Sequence, residues 1–270
     1  MRARSTSRAS SIAARPTTKK LSPARDRTLV LSVGNSSLFG GSFVNGRLTK
    51  SFRIPTSALF RIAGYSTSRV DRVVVCSVVP PLTPDVLRFV RRTWQVEPQL
   101  LTFDAPHGLQ LGYREPRELG VDRIAAALGA RVVFPQQNVL IVDCGTASTI
   151  TALTRDAVLL GGAILPGLAM GPEILALRTA QLPQVPVKRP RSALGRSTAD
   201  AIASGVFFGH IGALREVISR VRTDAFRGKS IVVGTGGHAP RFAGENLFTT
   251  IEPELILRGL HEFADREIRS

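Results

Sequence analysis

Two stretches of this chain repeat one another, and that repetition narrows the available folds more than any other feature. "LVLSVGNSSLFGGSFVNGRL" (29–48) and "LIVDCGTASTITALTRDAVL" (140–159) pass through the same events in the same order. An apolar strand runs into a small polar turn with glycine at the same place, Gly34 in one and Gly145 in the other. A second, alternating strand follows, then a tight turn (Asn45-Gly46, Arg155-Asp156) and the start of a third strand. A hairpin closed by a two-residue polar turn is a strong local signal, and its recurrence points to two similar domains.

The surroundings read as α/β. "RVVVCSVVPPLTPDVLRFVRRTW" is a strand followed by a helix, with Thr83 as its N-cap and Pro84 at the first helical position. "PRELGVDRIAAALGARVV" reads as a helix after a glycine turn, and 197–222 as a long amphipathic helix with Ile202, Val206, Ile211, Leu214 and Ile218 near a helical repeat. "SIVVGTGGHAPRF" is a buried strand ending in a glycine turn, and "PELILRGLHEFADREI" a closing helix. Alternating strands and helices predict mixed or parallel sheets flanked by helices. No apolar run approaches the roughly 18 residues that span a bilayer, so no membrane is expected.

The net charge of +16 suggests nucleic acid until it is located. Residues 1–27 hold eight Lys or Arg against one Asp, +7 of the +16, which leaves +9 for the rest. That head is rich in Ser, Ala and Arg and has little to bury, so it reads as disordered, whether as an organellar transit peptide, an over-long start or a solvated tail. The remaining +9 suits an anionic substrate or a polyanion. Cys76 and Cys144 each sit within an apolar strand-like run, as buried reduced thiols do in a cytosolic protein, and the four histidines make no metal-ligand spacing.

Chemistry concentrates at the turns. Ser32-Val-Gly34-Asn35-Ser36 suits a phosphate, because glycine lets backbone N–H groups approach an anion and Asn35 and Ser36 add donors. Where the second copy carries Asp143, two residues before Gly145, the first carries Ser32, and no acid stands anywhere in 28–52. If the copies face each other across a cleft, one turn supplies a carboxylate and the other a hydroxyl. Alternatively, Asp143 simply caps its own turn. Asp122, in Leu119-Gly-Val-Asp-Arg123, falls at a helix start, where the dipole favours a carboxylate; it could equally serve as a general base, with Arg123 pairing a substrate carboxylate. "GTGGHA" (234–239) is either a nucleotide approach or a plain turn, and Thr198, with Asp200 nearby, opens the long helix as a candidate N-cap.

From Thr28 onward the chain resembles the type III pantothenate kinases, through "SVGNSS", "CSVVPPLTP", "YREPRELGVDRIAAALGA", "VDCGTASTITAL", "GGAILPGLAMGPEILALRTAQLP", "STADAIASGVFFG" and "GTGGHA", in that order. The resemblance implies duplicated actin-like (ribonuclease H-like) domains, with a first domain over 28–125 and a second over 126–270 that includes the C-terminal helix. It implies that Ser32, Val33, Gly34, Asn35, Ser36, Ser37, Leu38 and Phe39 form an ATP-phosphate loop and that Thr146 is a further ATP contact. Tyr113, Gly120, Val121, Asp122, Arg123 and Thr198 match pantothenate-binding positions, Asp122 being also the proton acceptor, and Asp143 matches the ligand of a monovalent cation, K⁺ or NH₄⁺. The implied reaction is ATP plus pantothenate to 4′-phosphopantothenate, the first step toward coenzyme A, with Mg²⁺ or another divalent ion, in a cytoplasmic homodimer that has no nucleic-acid partner. One departure stands out: the family begins its loop with Asp-x-Gly-Asn-Thr, and here that Asp is Ser32. One formal negative charge thereby leaves the metal shell. The alternative to a working kinase is a catalytically degenerate relative that binds a metabolite or nucleic acid as a regulator.

Overall fold

The computed structural model describes residues 26–65 and 69–269, so the expected disordered head lies, up to residue 25, outside the described residues. Arg27 already pairs with Val44, one residue ahead of the expected domain start. The strands are β1 (Arg27–Val33), β2 (Ser37–Val44), β3 (Arg47–Pro55), β4 (Arg72–Ser77), β5 (Gln99–Leu100), β6 (Gln110–Leu111), β7 (Val139–Cys144), β8 (Ala147–Leu153), β9 (Val158–Pro166), β10 (Ile231–Thr235) and β11 (Thr250–Ile251). The helices are α1 (Thr83–Trp94), α2 (Val121–Val133), α3 (Met170–Arg178), α4 (Thr198–Ala225) and α5 (Leu255–Arg269).

The sequence echo is an echo of topology. One sheet has the order β3-β2-β1-β4-β5 and the other β11-β10-β7-β8-β9-β6, so β9-β8-β7-β10-β11 repeats the first sheet strand for strand, with β6 added outside β9. In both copies the hairpin strands pair antiparallel, and the strand after the crossover (β4, β10) lies parallel to the first. Even the irregularity repeats. In β3, Leu48 faces Phe43 and Lys50 faces Ser42, so Thr49 bulges out; in β9, Leu159 faces Leu153 and Gly161 faces Ala152, so Leu160 does. A bulge reverses the face on which every later residue of its strand points.

Period-two alternation assigns the strands' two faces. Leu29, Leu31 and Val33 of β1 join Val73 and Val75 of β4 beneath Val86 and Val90 of α1. Leu140, Val142 and Cys144 of β7 pack under Phe207, Ile211, Leu214 and Ile218 of α4. The opposite faces, with Val30, Val74 and Cys76 on one sheet and Val139, Ile141 and Val233 on the other, share a single core with α2 and α5 between them. The molecule is thus layered α1, first sheet, α2 with α5, second sheet, α4. At the centre the two helices touch backbone to backbone: a Cβ on Gly129 would overlap the Leu255 carbonyl, and one on Gly259 the Ala125 carbonyl. Both cysteines are buried and free.

Two expectations need correction. Leu82, not Thr83, occupies the cap position of α1; Thr83 is the first helical residue, and its hydroxyl donates to Ser77 Oγ at 2.7 Å. Ser197, not Thr198, caps α4, its Oγ accepting from the Asp200 N–H at 3.1 Å. Among the described residues, α4 is one helix long and apolar enough by length and composition to cross a membrane, a test that a buried core helix also passes. Counting unbroken apolar runs missed it, because Ser204 and His210 interrupt the apolar run within the continuous helix. Its apolar side seats on the second sheet through Phe207, Ile211 and Leu214.

Candidate functional site

The same alternation that builds the shared core aims two residues into the gap above it. Ser32 follows Val30 by two on β1, and Asp143 follows Ile141 by two on β7, so both project toward the space between the sheets. Each stands near the C-terminal end of a strand with a parallel neighbour, Ser32 beside Cys76 and Asp143 beside Thr235, where open α/β sheets leave a crevice. Asp122, in the first turn of α2, enters the same cleft from the central layer. The turns meet across it: Thr146 Oγ1 donates to Ser36 Oγ at 2.9 Å, a bond spanning 110 positions of sequence. The expectation that the two glycine bends face one another is met by that contact.

Electrostatics follow from crowding. Burial raises the Asp122 carboxyl above its usual range, opposed by the backbone N–H of Arg123, which donates to Oδ1 at 2.8 Å, and by the Arg123 charge. Burial, with Asp122 as a second negative charge, pushes Asp143 up to about 6, against the pull of Arg53. Gly236, at φ +85°, lies against Asp143 and Cys144; a Cβ there would overlap Asp143 Oδ1. Only glycine serves at that position, for its left-handed backbone and for the lack of room.

Ser32, Gly34, Asn35, Ser36, Ser37, Phe39, Asp122, Asp143 and Thr146 all line the cleft. Val33 and Leu38 do not: both are buried on the far face of the first sheet, where alternation must put them, and any contact of theirs with a ligand is limited to backbone. Gly120 and Val121 open α2 beside Asp122. Arg123 Nη1 donates to Tyr113 Oη at 2.8 Å, which holds a cation next to Asp122. Thr198 is apart from the others. It lies exposed at the start of α4, in a separate shallow pocket with Leu175, Leu182, Ile202 and Val206.

Sequence reasoning missed Arg53. It lines the cleft opposite Phe39, its guanidinium 4.2 Å from the centre of the Phe39 ring and its Nη1 donating to Ser37 Oγ at 3.1 Å. A regular hairpin closing at Asn45-Gly46 would pair Phe39 with Phe52 and turn Arg53 to the outer face. The bulge at Thr49 makes the difference.

Apart from the Arg53 guanidinium, the lining side chains offer oxygen ligands: the Asp143 and Asp122 carboxylates, the Asn35 amide oxygen and the hydroxyls of Ser32, Ser36, Ser37, Thr146, Thr149 and Thr235. Hard cations take such ligands, so the set fits an alkali or alkaline-earth ion accompanying a phosphate. Among the described residues no group of three or more His, Cys, Asp or Glu stands ready to hold a metal without a substrate's help.

Comparison with known proteins bears directly on this arrangement. A solved structure of a conserved Baf family protein from Campylobacter jejuni superposes with a TM-score of 0.57 at 24% identity, over 90% of this chain and all (100%) of that one. The ethanolamine utilization protein EutJ of Carboxydothermus hydrogenoformans gives 0.53 at 11% identity, covering 90% and 91%. Both likenesses establish the duplicated actin-like fold and nothing further. In sequence, the chain is 36% identical over 245 residues to a type III pantothenate kinase of Legionella pneumophila (strain Corby), covering 86% of this chain and 96% of that protein. It is 33% identical over 249 residues to the type III pantothenate kinase of Dehalococcoides mccartyi, covering 87% and 96%. The family profile described as type III pantothenate kinase matches residues 28–220, which include every cleft residue up to Thr149 and reach past the start of α4. This chain belongs to the type III pantothenate kinase family.

Proposed function

We propose that this chain transfers the terminal phosphoryl group of ATP to the 4′-hydroxyl of pantothenate, giving 4′-phosphopantothenate, the first step toward coenzyme A. The observation that carries the reading is the meeting of the Ser36 and Thr146 turns in one cleft with Asp122 beside them. Phosphoryl transfer asks a protein mainly for positioning and charge, and two glycine-containing turns on facing sheets supply backbone N–H groups and hydroxyls for a polyphosphate. The Ser36–Thr146 hydrogen bond would give way to phosphate contacts when ATP enters. Asp122 accepts the proton of the substrate hydroxyl; its raised affinity for a proton, caused by burial, brings it closer to the working pH of a general base. Arg123, braced by Tyr113, receives the pantothenate carboxylate, and Gly120 and Val121 shape the wall beside it.

Asp143 would hold the monovalent cation, K⁺ or NH₄⁺. Mg²⁺ or another divalent ion would be left to phosphate oxygens, water and the neutral Ser32 hydroxyl, and when bound it neutralises charge on the transferred group. Because Thr198 stands outside its own cleft, its match to a pantothenate contact is met if it serves the site of a second subunit in a homodimer. The exposed apolar side chains of α3 near it, Ile174 and Leu177 (56% and 78% exposed), favour such pairing. The buried free thiols suit a cytoplasmic location.

The test is purified protein with ATP, pantothenate, K⁺ and Mg²⁺ or Mn²⁺, with 4′-phosphopantothenate followed by mass spectrometry. Wild type should form product and Asp122→Ala none above background. A folded wild-type protein that makes no product with any of these ions overturns the proposal. For the dimer, light scattering should show twice the chain mass for wild type and a monomer for Leu177→Glu.

A further inference from the structure

We propose that Arg53 grips the terminal phosphates of ATP in the inter-sheet cleft. The inference rests on the kinase reading above and adds to it a residue that no motif identified. Arg53 is the only Lys or Arg among the described residues lining the cleft, which already holds the carboxylates of Asp122 and Asp143. A polyphosphate brings several further negative charges into that space, and nothing else on the cleft wall carries a full positive charge to meet them. The side chain is also aimed. Stacking on Phe39 and the bond from Nη1 to Ser37 Oγ fix the guanidinium plane beside the first turn, leaving Nε and Nη2 to donate. It makes no ion pair with a carboxylate among the described residues, although Asp143 is near enough to act on it electrostatically. Arg72, by contrast, is tied to both Asp26 and Asp265. A planar guanidinium with two spare donors and no carboxylate partner matches the geometry of phosphate oxygens better than an ammonium does.

The register explains why the position is so placed. Without the Thr49 bulge, residue 53 would face the outer, α1 side of the sheet, and Phe52 and Ile54, now in the α1-side core, would turn inward. The strand therefore interrupts its ladder at one residue, and the outcome is an arginine turned inward.

The experiment measures ATP and AMP affinity by competition with a fluorescent ATP analogue, in EDTA and again with Mg²⁺, for wild type, Arg53→Ala, Arg53→Gln and Arg53→Lys. The variants' melting temperatures are recorded alongside, and Arg53→Gln and Arg53→Lys stand in should the alanine variant not fold. We expect ATP affinity to fall about tenfold or more in Arg53→Ala and Arg53→Gln, as for loss of a charge-assisted hydrogen bond, with AMP affinity unchanged and Arg53→Lys in between. The loss should be larger in EDTA, where no divalent ion shares the phosphate charge. ATP affinity within about twofold of wild type in the neutral variants, or equal losses for ATP and AMP, overturns the proposal. If the wild type phosphorylates pantothenate while Arg53→Gln binds ATP normally, only this inference falls; if the wild type binds no ATP, the kinase reading falls with it.

Discussion

Replacing Asp143 with asparagine should make the unliganded protein more stable at neutral pH. The carboxyl loses its proton at about 6 in the folded chain, against an ordinary value of 3.8, because burial and the charge of Asp122 oppose ionisation. The native state therefore binds the extra proton between those two values, and stability falls as pH rises through that window. Above pH 6 the full penalty applies: about 2.2 pH units at 1.36 kcal/mol each, or about 3 kcal/mol, reduced by whatever water enters the cleft. The neutral amide of Asp143→Asn carries no such penalty. Urea unfolding of wild type and Asp143→Asn between pH 4.5 and 8 should show the variant's advantage growing by about 2 kcal/mol across that range. At pH 8, K⁺ should recover part of the deficit for wild type alone when compared with tetramethylammonium at equal ionic strength, because a cation that binds only the native state stabilises it. A stability gap that does not change with pH would refute the argument, and a K⁺ effect of equal size in Asp143→Asn would refute the cation assignment.

Four further outcomes are expected. Ser32→Asp places a carboxylate beside the phosphates, and the Mg²⁺ concentration for half-maximal activity should fall severalfold in a metal titration. Gly259→Ala drives a methyl group into the Ala125 carbonyl between α2 and α5 and should cost about 1–3 kcal/mol or more in denaturant melts, whereas Gly212→Ala, with open space around it, should be neutral or stabilising. Gly236→Ala should depress activity out of proportion to its effect on melting temperature, since the new Cβ displaces the Asp143 carboxylate. Deleting Thr49 removes the bulge but keeps Lys50 opposite Ser42 and Arg53 opposite Phe39, so ATP affinity should stay within about twofold of wild type and the far-ultraviolet circular dichroism close to it.

Much of the frame can be read from local pattern because its causes are local. The two glycine turns, the hairpins behind them and the inward projection of Ser32 and Asp143 all follow from a two-residue period that needs no knowledge of the partner sheet. The resemblance added Asp122, which sequence alone left as either a helix-terminal acid or a base; its position in the cleft depends on α2 running between the sheets. Arg53 could not be read in this way, because one bulged residue in β3 sets its direction and "GRLTKSFRIP" carries no glycine or proline at the bulge to announce it. Strand β6 is two residues long, and α3 begins Met-Gly-Pro with little one-sided apolar pattern, so both lacked the periodicity on which a prediction draws. Thr198 matched a motif, but the fold sets it in a separate pocket, and under the proposed homodimer its position relative to a substrate would depend on the second subunit.

The position of α5 bears on how the molecule is made. This helix covers the inner face of the first sheet, and Arg72 of β4 donates to its Ala264 carbonyl across 192 positions. On the ribosome, β1 to β5 would emerge long before the segment that shields them, leaving Val30, Val74 and Cys76 open to water or to other nascent chains throughout. The proposed general base, Asp122, stands on α2, whose packing partner is that same late-arriving helix. Competence for chemistry should therefore appear in one step when α5 docks, and a chain stopped before Leu255 should be recovered as aggregate rather than as a weakened enzyme.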